Sequence, residues 1–341
     1  MTKPLVAIAS LGGTITMTAA DSLQGVTPSL TAADLLASVP ALSHVAEVRA
    51  ETLFRKPGAS LDFANLLEAL DWSHQAVAEG AAGVVLVQGT DTLEETSYLL
   101  DLHWDAPEPL VVTGAMRPPQ QPGADGPANL LAAVLTAAAP ESRSLGVLTV
   151  LNDEVHAAAR VRKSDTTALG AFSSAPFGPL ARIHEQSVAY ANLPARQSPL
   201  PRLGDHSSPR VALLETFLGD DGELLGLVND ASFDGVVISA FGAGHVSAAT
   251  ATMVSKTAER VPVVLASRAG AGAVLNGTYG FAGSEQDLLR RGAISAGWLD
   301  ARKARILLWS LLAASQPIER IREGFAARNG LFLASQPVTR M

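Results

Sequence analysis

The chain has 341 residues, 48% of them apolar and 17% charged, a composition that excludes wholesale disorder and leaves room for about two domains. Lys and Arg number 25 against 33 Asp and Glu, a formal charge of −8, which argues against a partner held through its phosphates. There is no cysteine, so disulfides, thiolate nucleophiles and Cys-ligated zinc are excluded.

The first apolar run, Leu5–Ser10, follows a single basic residue, Lys3, and ends at Gly12-Gly13. It is too short for the apolar core of a secretory leader. No run reaches the 18 or so apolar residues of a spanning helix. The reading is a soluble, cytoplasmic globular protein without membrane contact. Leu5–Ser10, Val84–Val87, Leu110–Thr113 and Val147–Leu151 are short and rich in β-branched residues. Such continuous runs are the pattern of strands buried on both faces. Between them, Leu61–Ala78 places Leu66, Leu67, Leu70 and Val77 at helical spacing. Leu93–Leu102 follows a similar rhythm, and the alanine-rich tract Leu130–Pro140 has the length of a buried helix. Alternating strand and helix signals predict an α/β fold with a parallel sheet.

The rhythm breaks at Ala191–Ser208, where Pro194, Pro199 and Pro201 stand among Arg, Gly and Ser. That composition reads as a linker. Strand signals return at Val211–Leu214, Gly235–Ser239 and Val261–Ala266, and helical ones at Ala301–Ala314 and Pro317–Ala327. The organisation expected is a larger N-terminal α/β domain over 1–190, with a mainly parallel sheet flanked by helices and the catalytic loops. A linker over 191–208 and a smaller C-terminal α/β domain with a parallel sheet over 209–341 complete it.

In open α/β sheets the chemistry sits in loops past the carboxyl ends of strands. Ser10–Thr14 is such an end, where Gly12 and Gly13 permit conformations closed to other residues and close approach of a ligand. The plainer account is a tight turn with Thr14 as a helix cap. Gln88–Thr96 crowds Thr90, Asp91 and Thr92 at the next end. A cap made by Thr90 or Thr92 with Glu95 explains one of these residues, not the cluster. Asn152–Thr167, beyond Val147–Leu151, contains Lys163, one of only five lysines in an arginine-rich chain. Lysine can lose a proton where arginine cannot; a solvated surface lysine is the alternative. Thr113–Pro119 offers backbone groups at a fourth end, and Gly123–Asn129 reads as a turn opening the next helix.

Taken together, these segments resemble the bacterial L-asparaginase/glutaminase family. The resemblance runs in order along the chain, through Ile8–Ile15, Val87–Thr96, Gly114–Pro118, Asp125–Leu130, Arg160–Leu180 and Lys303–Ile306. It implies two linked α/β domains and hydrolysis of L-asparagine to L-aspartate and ammonia, with minor glutaminase activity and no metal or organic cofactor. It implies Thr14 as nucleophile and Thr90, Asp91 and Lys163 as a second polar triad. Ser60 would bind the substrate α-carboxylate, Asp91 its α-ammonium, and the Ala115 carbonyl the leaving amide, with Gly13, Leu61 and Gly89 also lining the substrate. A homodimer, or a homotetramer built from two dimers, is implied, the second domain of a neighbour closing each site.

Running a lysine neutral near pH 7 costs roughly 4 kcal/mol, and an adjacent carboxylate favours the ammonium. Lys163 is therefore expected as a charged shuttle and orienter for Thr90 at least as readily as a free base. Three departures stand out. No tyrosine occurs in Thr16–Leu30, where Val26 or Thr27 falls at the family's tyrosine position, and Leu61 replaces a glutamine. His245 stands where the family's neighbour-supplied Asn is common, with Tyr279 or Glu285 as stand-in for its Glu. His156, His184 and His245 lack the spacing of a metal-ligand pair. Two other functions compete: the same core acting on a different amide, ester or lactone, and a non-catalytic amino-acid sensor.

Overall fold

A computed structural model describes residues 2–18, 27–28, 30–194, 196–203 and 208–328. The chain divides into two compact units, Met1–Leu200 and Pro201–Met341.

The first unit is built on eight strands: β1 (Leu5–Gly12), β2 (Glu47–Lys56), β3 (Gly83–Val87), β4 (Leu110–Thr113), β5 (Val147–Leu151), β6 (Glu154–Ala157), β7 (Ala181–His184) and β8 (Ser187–Tyr190). Their order across the sheet is β8-β7-β6-β5-β4-β3-β1-β2. The five strands from β2 to β5 pair in parallel and the last three antiparallel. β3, β4 and β5 are buried at every position, as continuous apolar runs require when helices cover both faces. Leu148 and Val150 pack with Leu130, Ala133 and Val134 of the helix Gly126–Ala138. Thr149 between them faces the other way, where its hydroxyl bonds Ser97 of the helix Leu93–His103 at 2.8 Å. The alanine-rich tract is thus one side of the core, and its helix starts four residues earlier than expected, with Pro127 in the first turn, where its missing N–H costs nothing.

The region beyond Val147–Leu151 is not one open loop. Asn152 and Asp153 take φ of 52° and 58°, and this two-residue turn sends the chain back as β6. Glu185 and Gln186, at 47° and 62°, do the same between β7 and β8. The helix expected from Leu61 begins at Phe63, after a 3-10 turn over Gly58–Ser60, because Asp62 and Asn65 close a capping box there. Within 191–208, Leu200 N–H donates to the Leu102 carbonyl at 2.6 Å and Arg196 to that of Trp104, fastening this stretch to the end of the helix Leu93–His103.

His156 lies inside β6, 1% exposed, with Nδ1 2.9 Å from the Ser174 hydroxyl; His184 is exposed. Burial, helped by the charge of Arg182, pushes the His156 pKa down to about 4. The folded protein holds this imidazole neutral while the unfolded chain takes up a proton below its usual range. Stability is therefore lost as pH falls from about 6.5 toward 4, by about 2 kcal/mol at pH 5. Urea unfolding at pH 7 and pH 5 should show this loss in the wild type and a smaller one in His156→Phe.

The second unit has β9 (Val211–Glu215), β10 (Gly235–Ala240), β11 (Val263–Ser267) and β12 (Ile294–Ser295), all parallel and in chain order. Its core joins Val236, Ile238, Val263 and Leu265 of the sheet to Leu225, Val254 and Leu288 of the surrounding helices. The fold is the expected one: a larger unit with a mainly parallel sheet and a smaller one with a parallel sheet.

Candidate active site

The order β2-β1-β3-β4-β5 reverses direction at β1 and β3, whose following connections leave to opposite sides. The crevice at the carboxyl ends of two such strands is where open α/β sheets bind ligands. At the end of β1, Gly12 and Gly13 have φ of 108° and 88°, a region L side chains rarely adopt. A Cβ on Gly13 would lie 2.0 Å from the Gly89 nitrogen, and one on Gly12 2.4 Å from the Lys56 carbonyl oxygen. Gly58 approaches Gly89 closely as well. Missing side chains let three backbones meet, and from each a 3-10 turn emerges: Thr14–Thr16, Gly58–Ser60 and Thr90–Thr92.

Neither threonine acts as the plainer reading required. Gly13, not Thr14, occupies the cap position of the first turn. Thr92 precedes the helix Leu93–His103 without a side-chain cap, its hydroxyl donating instead to the Gly58 carbonyl at 2.9 Å. The Thr92 hydroxyl thus joins two neighbouring turns rather than closing a helix.

Lys163 arrives six residues after β6, in a two-residue strand paired with Phe172–Ser173. Its ammonium donates to Thr90 Oγ1 at 3.0 Å and to Asp91 Oδ1 at 2.9 Å. The Asp91 carboxylate is 64% exposed and the lysine side chain 19%. The ammonium is thus sheltered and the carboxylate open to solvent. The backbone N–H of Lys163 donates to Glu94, which is 2% exposed.

The β4 end packs against the β3 end, where a Cβ on Gly114 would lie 2.5 Å from the Gln88 carbonyl oxygen. Ala115 is fully buried, beside Gly126, which Ile15 of the Thr14 turn also approaches. Asp125 Oδ2 and Oδ1 accept the N–H groups of Met116 and Arg117, both at 2.9 Å. Asn129, 2% exposed, donates to the Gly114 carbonyl and to Asp125 Oδ2, both at 3.0 Å. Ser60 ends the Gly58 turn and Leu61 follows it, Ser60 exposed and Leu61 half-buried. The ends of the segment after Thr14 are held by pairing of Met17–Thr18 with Thr27–Pro28 and by Leu30 N–H on the Thr16 carbonyl; Val26 lies outside the described residues.

The second unit gathers the other three candidates. His245 Nε2 lies 3.1 Å from Glu285 Oε2, and the rings of Tyr279 and Phe281 stand edge-on to His245 at 4.9 and 5.1 Å. Glu285 Oε1 accepts the N–H groups of Thr278 and Tyr279. Burial raises the carboxyl pKa, but the donors from Tyr279, Thr278, its own N–H and His245 outweigh it and hold it below the usual range. Glu285 is 0% exposed, whereas Tyr279 is 44% exposed: the glutamate shapes the loop and the aromatic rings present its surface. Among the described residues no group of three or more His, Asp or Glu side chains is placed to hold a metal ion.

Sequence reasoning passed over Glu94, Asp125 and Asn129 as site-shaping residues. The available signal was the doubled acid Glu94-Glu95 after the threonine cluster, and an Asp and an Asn four apart at a helix start.

Two hydroxyl-bearing turns and a sheltered ammonium thus stand at the switch point of an open α/β sheet, the place where enzymes of this architecture hold small ligands. The chain belongs to the asparaginase family, matching its N-terminal domain over residues 5–196 and the glutaminase/asparaginase C-terminal domain over 210–325. It is 35% identical to a probable L-asparaginase of Deinococcus radiodurans, over 94% of this chain and 97% of that one. It is 32% identical to L-asparaginase 2 of Escherichia coli over 86% and 83%, and 31% to a probable periplasmic L-asparaginase of Haemophilus influenzae over 94% and 92%. The crystal structure of a probable cytoplasmic L-asparaginase from Campylobacter jejuni superposes with a TM-score of 0.87 at 29% identity, over 95% of this chain and all of that one.

Proposed function

We propose that the chain hydrolyses L-asparagine to L-aspartate and ammonia, with minor activity on L-glutamine, and that Thr14 is the nucleophile. Family membership makes it an amide-bond hydrolase. The observation that carries the residue assignment is the Lys163 ammonium on both Thr90 and Asp91, on a backbone that touches Gly13. In this reading Thr14 Oγ1 attacks the side-chain carbonyl carbon, and its proton passes to the departing nitrogen. Ammonia leaves and a threonine ester remains. Water then attacks the ester through Thr90, which Lys163 orients, and the C–O bond breaks to release aspartate and restore the Thr14 hydroxyl. Backbone N–H groups at the strand ends hold the developing oxyanion, commonly the largest catalytic contribution. Ser60 takes the α-carboxylate and Asp91, whose carboxylate is open to solvent, the α-ammonium.

Ammonia release from millimolar L-asparagine by purified, folded protein tests this, and its absence rejects it. Leu61 and the tyrosine-free segment 16–30 favour a second reading, in which the same core opens another small amide, ester or lactone. A substrate panel run beside Thr14→Ala separates the two, since a hit that survives the substitution defeats both.

The rest of the proposal is a linker over 191–208 between domains 1–190 and 209–341, a cytoplasmic location, and a homodimer or homotetramer. In the assembly His245 and Tyr279 of the second domain face a neighbour's site, and Glu285 sets the loop that carries Tyr279. The exposed Tyr279 and Phe281 rings support the assembly, and light scattering gives its size. Among the described residues no helix is long and apolar enough to cross a membrane. The relatives are described with different compartments, one periplasmic and one cytoplasmic, so fractionation of native cells is the test of location.

A further inference from the structure

We infer that Glu94 is a positioning residue: it fixes the Lys163 backbone so that the ammonium stays on the Thr90 hydroxyl instead of following the Asp91 carboxylate into solvent. In the reading above, on which this rests, Thr90 and Lys163 serve the attack of water on the ester; Glu94 acts on them only through the lysine backbone. Thr90, Asp91 and Glu94 lie in one stretch that runs from a 3-10 turn into the first turn of the helix Leu93–His103. That stretch holds one lysine at both ends. Thr90 Oγ1 and Asp91 Oδ1 take its ammonium, at 3.0 and 2.9 Å, and Glu94 Oε2 takes its backbone N–H. An acid in the first turn of a surface helix complements the helix dipole while staying in water. Glu94 is 2% exposed instead, and a carboxylate withdrawn from water needs donors in return. The lysine N–H is one of them.

Lys163 needs this fastening because of where it sits. Val161 is fully buried, whereas Ser164–Ala168 are exposed, so Lys163 stands where the chain leaves the core. Its strand is two residues long, paired with Phe172–Ser173. On the next residue the N–H turns into the hairpin, Ser164 donating to the Ala171 carbonyl at 2.7 Å. Successive N–H groups of an antiparallel strand point to opposite sides, which leaves that of Lys163 on the outer side, toward Glu94. The side chain beyond it is long and loses much rotamer freedom when ordered. It is 19% exposed, and the Asp91 carboxylate 64%. An ammonium is strongly hydrated, so a backbone shifted outward lets it keep Asp91 and gain water while giving up Thr90. The bond to Glu94 opposes that shift.

The test measures kcat and KM for L-asparagine in Glu94→Leu and Glu94→Gln, each made in the wild type and in Lys163→Met. Leucine fills much of the same space without an acceptor, and glutamine keeps an oxygen where the N–H needs one. Glu94→Leu is expected to lose at least tenfold in kcat with KM changed less than threefold, and Glu94→Gln less than threefold in kcat. In Lys163→Met, followed over hours at high enzyme concentration, Glu94→Leu should lose less than twofold more, because its effect passes through an ammonium already gone. The full tenfold loss in that background means a purely structural role and overturns the inference. Wild-type kcat in Glu94→Leu, or equal losses for leucine and glutamine, overturns it as well. A wild type that releases no ammonia, or a Lys163→Met that keeps full kcat, overturns the parent reading instead, so the two failures are distinguishable. Should Glu94→Leu not fold, Glu94→Asp takes its place under the same limits, since its shorter stem withdraws the oxygen from the N–H. Should the double variant turn over too slowly to measure, a crystal structure of the single Glu94 variant decides. The lysine nitrogen moved off Thr90 supports the inference, and the nitrogen still on Thr90 overturns it.

Discussion

Thr14→Ala is expected to fold as the wild type does and to release ammonia from L-asparagine at least about a thousandfold more slowly. A threonine hydroxyl is a weak nucleophile until its surroundings activate it, and no other group takes its place once the oxygen is gone. Residual turnover should resemble that of other hydrolases stripped of their nucleophile, where binding and oxyanion contacts alone remain. The substitution is mild for the fold. Thr14 is half-buried in a one-turn 3-10 helix capped by Gly13, and the core beside it is filled by Ile15 and not by Thr14. A thermal midpoint within a few degrees of the wild type, with L-aspartate binding retained, would assign the loss to chemistry. Undiminished turnover in this variant would remove Thr14 from the mechanism.

Lys163→Met should cost between about a hundredfold and ten-thousandfold in kcat, with a smaller change in KM. Methionine keeps an unbranched stem of similar length but removes the ammonium that donates to Thr90 and Asp91. If that ammonium orients the hydroxyl relaying a proton to or from water, the loss falls in the range of general acid–base catalysis. Stability should hardly move. The Asp91 carboxylate is 64% exposed and is resolvated once the lysine is gone, and exposed pairs of this kind contribute little to folding. The loop keeps its other fastening, since the residue 163 backbone N–H still donates to Glu94. Steady-state kinetics beside a melting curve checks both halves, and wild-type kcat in the methionine variant would show the second triad to be dispensable.

The buried strands were the most legible part of the fold. Val84–Val87, Leu110–Thr113 and Val147–Leu151 are buried at every position and almost wholly apolar because helices cover both faces, and that pattern has few other readings. The edge strand Glu47–Lys56 went unread for the converse reason. It carries Glu47, Arg49, Glu51 and Arg55, with exposed positions along most of its length. Its apolar residues therefore make no run. The antiparallel strands β6 to β8 are four residues each, and the turns from β5 to β6 and from β7 to β8 are Asn-Asp and Glu-Gln rather than the glycine-bearing pairs that announce a hairpin. The first three strands of the second unit were legible to within two residues, Gly235–Ala240 being buried throughout, whereas the two-residue strand Ile294–Ser295 is too short to make a run.

At the site, the glycines and hydroxyls could be singled out because each exceeds what a turn needs. Lys163 could not be placed by periodicity, since it follows an unforeseen hairpin; its rarity and the family resemblance marked it. Glu94, Asp125 and Asn129 stayed hidden because acids and amides at helix starts already have an ordinary explanation in capping. Only the coordinates show Asp125 turned toward Met116 and Arg117. Glu285 was offered as a group for a neighbour's substrate. In its own unit both of its oxygens are engaged and the side chain is buried, a pairing that no spacing in the sequence encodes.

A crystal structure of the protein with L-aspartate bound tests the convergence of these strand ends most directly. The account predicts the Thr14 oxygen within about 3.5 Å of the ligand's side-chain carboxylate carbon, with the Lys163 ammonium still on Thr90. Thr14 lying more than about 10 Å from Thr90 and Lys163 in the occupied site would contradict it, because no proton relay spans such a gap.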